Sequence, residues 1–144
     1  MKLFTIGFTR KSAEAFFTAL KDAKVKRLID IRLKNRSQLS GFAKSTDLAY
    51  FLKEIGGIDY EHRPEWAPTA AILESYRKKG MDWPEYERRF RALIKGRGIE
   101  RQVTAEEIDH ACLLCSEALP TQCHRRLVAE YLRDAFPLMS LCHL

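Results

Sequence analysis

The chain has 144 residues, 46% hydrophobic and 31% charged, with 25 Lys+Arg against 19 Asp+Glu and a formal net charge of +6. That length and composition predict one globular domain able to bury a core unaided, and exclude disordered, collagen-like and coiled-coil chains. No apolar run approaches the roughly 20 residues of a membrane span, and residues 1–7 (MKLFTIG) have too short an apolar core for a signal peptide; the expectation is a soluble, cytoplasmic protein with no membrane partner.

Residues 2–8 read as a first strand, and Ser12 as the cap of a helix carrying Ala13, Phe16, Phe17 and Leu20 on one side. Residues 25–32 (VKRLIDIR) form a second strand, followed by a polar loop over 34–44. Asp47 opens a helix with Leu48, Phe51, Leu52 and Ile55 at i, i+3, i+4, i+7, which Gly56-Gly57 ends. A third strand spans 58–62. Pro68 fits the first turn of the next helix, with Ile72, Leu73 and Tyr76 inward and Gly80 as its stop. After Trp83-Pro84 a further helix places Tyr86, Phe90, Leu93 and Ile94 on one face and is broken at Gly96-Arg97-Gly98; residues 99–107 form a short helix. The almost continuous apolar run 110–115 (HACLLC) reads as a central strand covered on both faces. Residues 116–121 are loop, 122–136 a helix with Leu127, Val128, Tyr131 and Leu132 inward, and 138–144 a last short strand. Strands alternating with helices predict a single three-layer α/β domain over residues 1–144, with an open, mostly parallel sheet of about five strands and helices on both faces.

The basic residues gather in two stretches. Lys24, Lys26, Arg27, Arg32, Lys34 and Arg36 lie close together, while Arg88, Arg89 and Arg91 follow Glu85 and Glu87, an order that simply complements a helix dipole. The first stretch, with the net charge, points to anionic partners: a small anionic molecule or nucleic acid. All four cysteines, Cys112, Cys115, Cys123 and Cys142, lie in the C-terminal quarter. In a reducing compartment no disulfide framework is expected.

In open parallel sheets ligands sit outside the carboxyl ends of the strands, and here every strand exit is polar. The first leads into Thr9-Arg10. The second ends in Asp30-Ile31-Arg32 and continues to Asn35-Arg36-Ser37, with Asp30 and Arg32 on one face. The third gives His62-Arg63, the apolar run gives Cys115-Ser116-Glu117, and the last ends near His143. Taken together these exits predict one shared cleft. The densest group is Cys115-Ser-Glu117 followed by Cys123-His124-Arg125-Arg126, which puts a cysteine, a histidine and two arginines at the start of a helix. Such a terminus binds anions and lowers the pKa of a cysteine beside it. Cys123 is therefore a candidate nucleophile, with His124 or Glu117 handling protons. Zinc is disfavoured, because Cys112 and Cys115 at odd spacing on a strand point to opposite faces, and the same geometry disfavours a thioredoxin-like pair. No metal or cofactor is expected, and the phosphate-loop, dinucleotide and nucleophile-elbow motifs are missing. Trp66, in a proline-flanked loop, is the aromatic residue expected to be exposed near a ligand. His110 is expected to be a satisfied core histidine.

Thr5-Ile6-Gly7, Asp30-Ile-Arg32 with Arg36-Ser37 and Gly41-Phe42, Leu114-Cys115-Ser-Glu117, Cys123-His124-Arg125-Arg126 and the terminal His143-Leu144 together resemble the domain of unknown function family four-eight-eight. The resemblance spans essentially the whole chain. It implies an α/β fold and marks Asp30, Arg32, Ser37, Cys115, Glu117, Cys123, His124 and Arg125 as family motif positions, without supplying a reaction. Many members carry a histidine after Thr-Ile-Gly, where this chain has Phe8.

The leading expectation is an enzyme, of hydrolase or transferase type, acting on a nucleotide, nucleic-acid end or other phosphate ester. Asp30, Glu117, Cys123 and His124 would be catalytic, and Thr9, Arg10, Arg32, Arg36, Ser37, Cys115, Arg125 and Arg126 would bind substrate. The alternatives are a non-catalytic nucleic-acid-binding module, whose affinity would fall steeply with salt, and a thiol or metal sensor using Cys115 and Cys123.

Overall fold

The structure, a computed structural model, describes residues 1–35, 41–117 and 119–144. Arg36 and Ser37, expected in the substrate site, lie outside the described residues. Five parallel strands, β1 (Lys2–Gly7), β2 (Arg27–Asp30), β3 (Asp59–His62), β4 (Ala111–Cys115) and β5 (Ser140–His143), form one sheet in the order β3-β2-β4-β1-β5. The helices are α1 (Ala13–Asp22), α2 (Ser45–Gly56), α3 (Ala70–Arg77), α4 (Trp83–Arg97), α5 (Ala105–Ile108) and α6 (His124–Ala135). This is the three-layer α/β architecture expected from the alternation of periods.

The strand order dictates which face each helix covers. From β1 to β2 and on to β3 the chain moves one way along the sheet, and from β3 to β4 and then β5 it moves back. Because parallel crossovers are right-handed, the two directions place their helices on opposite faces. One core accordingly joins Phe16, Phe17 and Leu20 of α1 and Leu48 and Leu52 of α2 to Phe4, Ile6, Leu28, Cys112 and Leu114 of the sheet. The other joins Tyr86, Phe90 and Ile94 of α4 and Leu127, Val128 and Leu132 of α6 to Leu3, Ile29, Ala111 and Leu113. Strand β4 is buried along its whole length, as its unbroken apolar run requires.

Local chemistry sets the element ends. Ser12 caps α1 through its hydroxyl, which accepts from the Ala15 N–H. Gly57 closes α2 in the left-handed conformation, φ +60°. The structure differs from the expectation at several element ends: β2 is shorter, Arg27–Asp30, α2 opens at Ser45 rather than Asp47, and α6 spans His124–Ala135. Thr69, not Pro68, opens α3, its hydroxyl accepting from the Ile72 N–H. Helix α4 continues through Gly96 and Arg97, and the left-handed Gly98 alone ends it. Residues 99–107 split into a 3₁₀ turn (Ile99–Arg101) and the start of α5, because Thr104 and Glu107 form a reciprocal capping box that begins a new helix.

Gly7 carries a special constraint. It ends β1 directly opposite Cys115, where a Cβ would overlap the carbonyl of Glu117 and the Nη1 of Arg125. Only a residue without a side chain lets the β4 exit cross here. Gly7→Ala is therefore expected to lower the unfolding free energy by about 1–3 kcal/mol through overpacking, read as a shifted midpoint in denaturant unfolding, whereas Gly96→Ala, which meets open space, should leave the midpoint unchanged or raise it.

Candidate functional site

Neighbouring strands leave the sheet toward opposite faces: β2 toward α2, β3 and β4 toward α3 and α6. A crevice must open between their carboxyl ends. The register brings these ends level, with Asp30 opposite both His62 and Leu114. The crevice is a cleft of about 1190 Å³. Its walls come from the β2 exit (Arg32, Lys34, Asn35), Tyr60 and His62 of β3, Tyr76 of α3, the β4 exit (Cys115, Ser116, Glu117) and Cys123-His124 at the head of α6.

Asp30 and Arg32 lie on one face two residues apart, and the side chains meet. Arg32 donates from Nε and Nη2 to the two carboxylate oxygens of Asp30 at 2.8 and 2.7 Å, and its own backbone N–H also reaches Oδ1. Tyr60 Oη donates to Asp30 Oδ2 at 2.6 Å, and Asn35 Nδ2 donates to Tyr60 Oη at 3.0 Å. Burial, with the hydrogen bond to the Asp30 carboxylate, pushes the Tyr60 hydroxyl far above its ordinary range, so it stays a proton donor. Asp30 is fully buried and Arg32 only 3% exposed. The guanidinium lies over the Phe8 ring, 5.3 Å from its centroid. Arg32 Nη1 is buried without a hydrogen-bond partner among the described residues.

Across the cleft, Cys115 ends β4, Cys123 is the N-cap of α6 and His124 is its first residue. Cys115 Sγ is 3.5 Å from His124 Nδ1, and His124 Nε2 donates to the Ile31 carbonyl at 2.7 Å, tying the head of α6 to the β2 exit. The Phe90 ring stands edge-on to the imidazole, with centroids 5.6 Å apart. Interaction with the neighbouring Cys123 thiol, and then with His124, holds the Cys115 thiol well below the ordinary cysteine range. The same interaction with Cys115, together with burial, pushes Cys123 up. Burial opposes a charge on His124, but the Cys115 sulfur outweighs it and raises the imidazole. Sequence reasoning expects the lowered thiol at Cys123; in the buried pair that the two cysteines form, it is Cys115 that is held low and Cys123 that is pushed up.

The other expected site residues divide. Glu117 is exposed on the cleft wall. Arg125 is fully buried and donates to the Glu117 carbonyl, behind the wall rather than on it. Arg126 turns away to ion pairs with Glu87 and Glu130 at 2.9 and 3.3 Å, joining the carboxylate network of α4 in which Arg91 also takes part. Thr9 ties the β1 exit to the Ser116 carbonyl through its hydroxyl and its N–H, and Arg10 is exposed outside the cleft lining.

Two aromatic and histidine expectations also resolve. Trp66 is not exposed: the 3₁₀ turn Pro64–Trp66 folds it inward, where it is fully buried, donates Nε1–H to Gln102 and is covered by Arg63 at 4.9 Å. His110 begins at the opposite, amino end of the sheet, half-buried and 2.9 Å from Asp109. Sequence reasoning passes over Tyr60, whose place in the strand alternation carries no chemical signal of the Asp30 contact, and names Asn35 only as one polar residue of the second strand's exit. The first basic stretch is divided by β2 itself: Lys24 and Lys26 are exposed at its amino end, while the buried Arg32 and the exposed Lys34 follow its carboxyl end.

Removing one partner from a buried ion pair leaves the other charge uncompensated, at about 3–5 kcal/mol. Asp30→Asn is expected to destabilise the protein by that amount in denaturant titration, while Tyr60→Phe, which removes one hydrogen bond from an otherwise satisfied carboxylate, should cost about 0.5–1.5 kcal/mol. Equal effects of the two variants would contradict the charge-pair account.

No helix of the structure is long and apolar enough to cross a membrane, among the described residues. No match was found among curated proteins or among solved structures. A family model does match residues 12–132, which cover α1 through α6 up to Leu132 and so include every residue of the cleft wall. The chain therefore belongs to the family described as Domain of unknown function DUF488.

Proposed function

We propose that the protein is an enzyme acting on a small anionic substrate, a nucleotide, nucleic-acid end or other phosphate ester, bound in the cleft outside the carboxyl ends of β2, β3 and β4. The observation that carries this reading is the Arg32 guanidinium. Asp30 takes two of its nitrogens and fixes its plane, and Nη1 is left buried with no partner among the described residues. An unpaired buried donor costs about 1–3 kcal/mol, more when charged. A phosphoryl oxygen accepting from Nη1 removes that cost, and a charge-assisted bond to a preorganised guanidinium is among the stronger polar contacts.

Lys34 and Asn35 follow on the same exit and line the cleft beside Arg32. Glu117, exposed on the opposing wall, is the acid or base best placed to exchange protons with a substrate and with water. Asp30 is a positioning residue in this scheme, since it is fully buried and its oxygens are occupied by Arg32 and Tyr60. Arg125 positions the Glu117 backbone. The separation of Lys24 and Lys26 from Arg32 and Lys34 by the strand favours this compact site over one continuous nucleic-acid surface.

Calorimetric titration with inorganic pyrophosphate at low salt tests the reading. Wild-type protein is expected to bind, and Arg32→Lys, which keeps the charge but loses the fork, should bind at least about 10-fold more weakly with an unchanged circular-dichroism spectrum. Lys24→Ala with Lys26→Ala should bind as wild type. On any phosphate ester that the wild type turns over, Glu117→Gln should lower kcat by about 100-fold or more. Absence of pyrophosphate binding by the wild type, or equal binding by a folded Arg32→Lys variant, would overturn the assignment.

A further inference from the structure

We propose that Cys115, Cys123 and His124 form a zinc site on the cleft wall, with three protein ligands and a fourth position left to a water or to a substrate oxygen. The ligand atoms of these three residues lie within 4.8 Å of one another, and all three residues are buried. Each also lines the cleft, so an ion bound among them would sit between protein on one side and the cleft on the other. Three ligands with an open position is the arrangement of catalytic rather than structural zinc.

Two distances agree with this. A tetrahedral centre with Zn–S near 2.3 Å and Zn–N near 2.0–2.1 Å separates sulfur from nitrogen by about 3.6 Å, and Cys115 Sγ lies 3.5 Å from His124 Nδ1. The second concerns the far side of the imidazole. Its Nε2 donates to the Ile31 carbonyl at 2.7 Å, which puts the ring proton on Nε2 in the neutral form and leaves the Nδ1 lone pair facing the two sulfurs. A backbone carbonyl holding the remote N–H is the usual orienting partner of a metal-bound histidine. Phe90 fixes the ring plane from the side.

The charge balance also suits burial. Two thiolates and a neutral imidazole around Zn²⁺ make an uncharged unit, whereas the same ion held by neutral ligands would bring an uncompensated charge into the protein. Two sulfurs and one imidazole nitrogen select zinc over magnesium or calcium. Cys112 takes no part, since it packs in the core on the other face of the sheet, and Cys142 is exposed on β5. An ion here would lie across the cleft from Arg32 and would polarise an oxygen or activate a water in that space. The inference goes beyond the anion reading and does not depend on it: the metal is read by binding to sulfur and the anion by binding to Arg32.

The test is a metal titration of the full chain, stripped with chelator under reducing conditions. Co²⁺ is expected to produce a sulfur-to-cobalt charge-transfer band that saturates at one equivalent per chain, and Zn²⁺ to displace it. Mapping by alkylation and mass spectrometry should show Cys115 and Cys123 protected by zinc while Cys142 reacts. Cys115→Ser and Cys123→Ser should each weaken binding by at least about 100-fold, and Cys142→Ser should not. Should a serine variant fail to fold, the wild-type protection pattern still decides. No charge-transfer band, a stoichiometry well below one, or zinc that leaves Cys115 and Cys123 as reactive as before would overturn the site; pyrophosphate binding in the same samples would show that the anion reading survives that failure.

Discussion

A guanidinium taken out of water needs a carboxylate and a complete set of hydrogen-bond partners, or it costs several kcal/mol. Asp30 gives Arg32 the carboxylate in a two-pronged contact, Tyr60 donates to the same carboxylate and Asn35 to Tyr60, and Arg32 Nη1 alone of the guanidinium nitrogens is left without a partner among the described residues. This pair sits where β2 ends, and the surrounding exits are arranged about it. The Arg32 carbonyl accepts from His62 of β3 at 2.8 Å, and the Ile31 carbonyl accepts from His124 of α6. Two histidines from different elements thus grip the backbone on either side of one buried arginine. The cleft keeps its shape because β2 cannot move without breaking both grips and the ion pair together.

The topology explains why the polar residues gather at this end of the sheet. Reversing the direction of travel after β3 sends the α1 and α2 crossovers to one face and the α3–α6 crossovers to the other. Adjacent strands then diverge as they leave, and the space between them cannot be filled by either core. At the opposite end the connections enter rather than leave. There the polar contacts are small closures, such as the Lys2 N–H donating to Asp109 and the Lys26 N–H donating to the His110 carbonyl.

Much of this was legible in the residues. The period-two and period-3.6 patterns, the unbroken run at β4 and the glycines after α2 and α4 were enough to place the strands and most helices, since burial on one or both faces leaves a direct mark on composition. The pairing of Asp30 with Arg32 followed from strand alternation. Arg126 and Trp66 were harder, because a helix position or a loop tryptophan does not say which neighbour it turns to: Glu87 and Glu130 capture the first and the α4 core the second. The role of Cys123 depended on a distance that no sequence carries, its closeness to Cys115. The convergence of Cys115, Cys123 and His124 was obscured by Cys112, because the strand spacing of Cys112 and Cys115 decided the zinc expectation for the whole group. Gly7 needs no side chain for a reason that only the path of the β4 exit reveals.

The central claim is that the carboxyl end of the sheet, organised by Asp30 and Arg32, is where this protein meets an anionic ligand. Amide chemical shifts followed by NMR during titration with inorganic pyrophosphate test it most directly, because β2 separates the two candidate basic regions. The account predicts shifts confined to Arg32–Asn35, Cys115–Glu117 and Gln122–His124. Shifts centred instead on Lys24, Lys26 and Arg27 at the amino end, with the cleft residues unmoved, would contradict it.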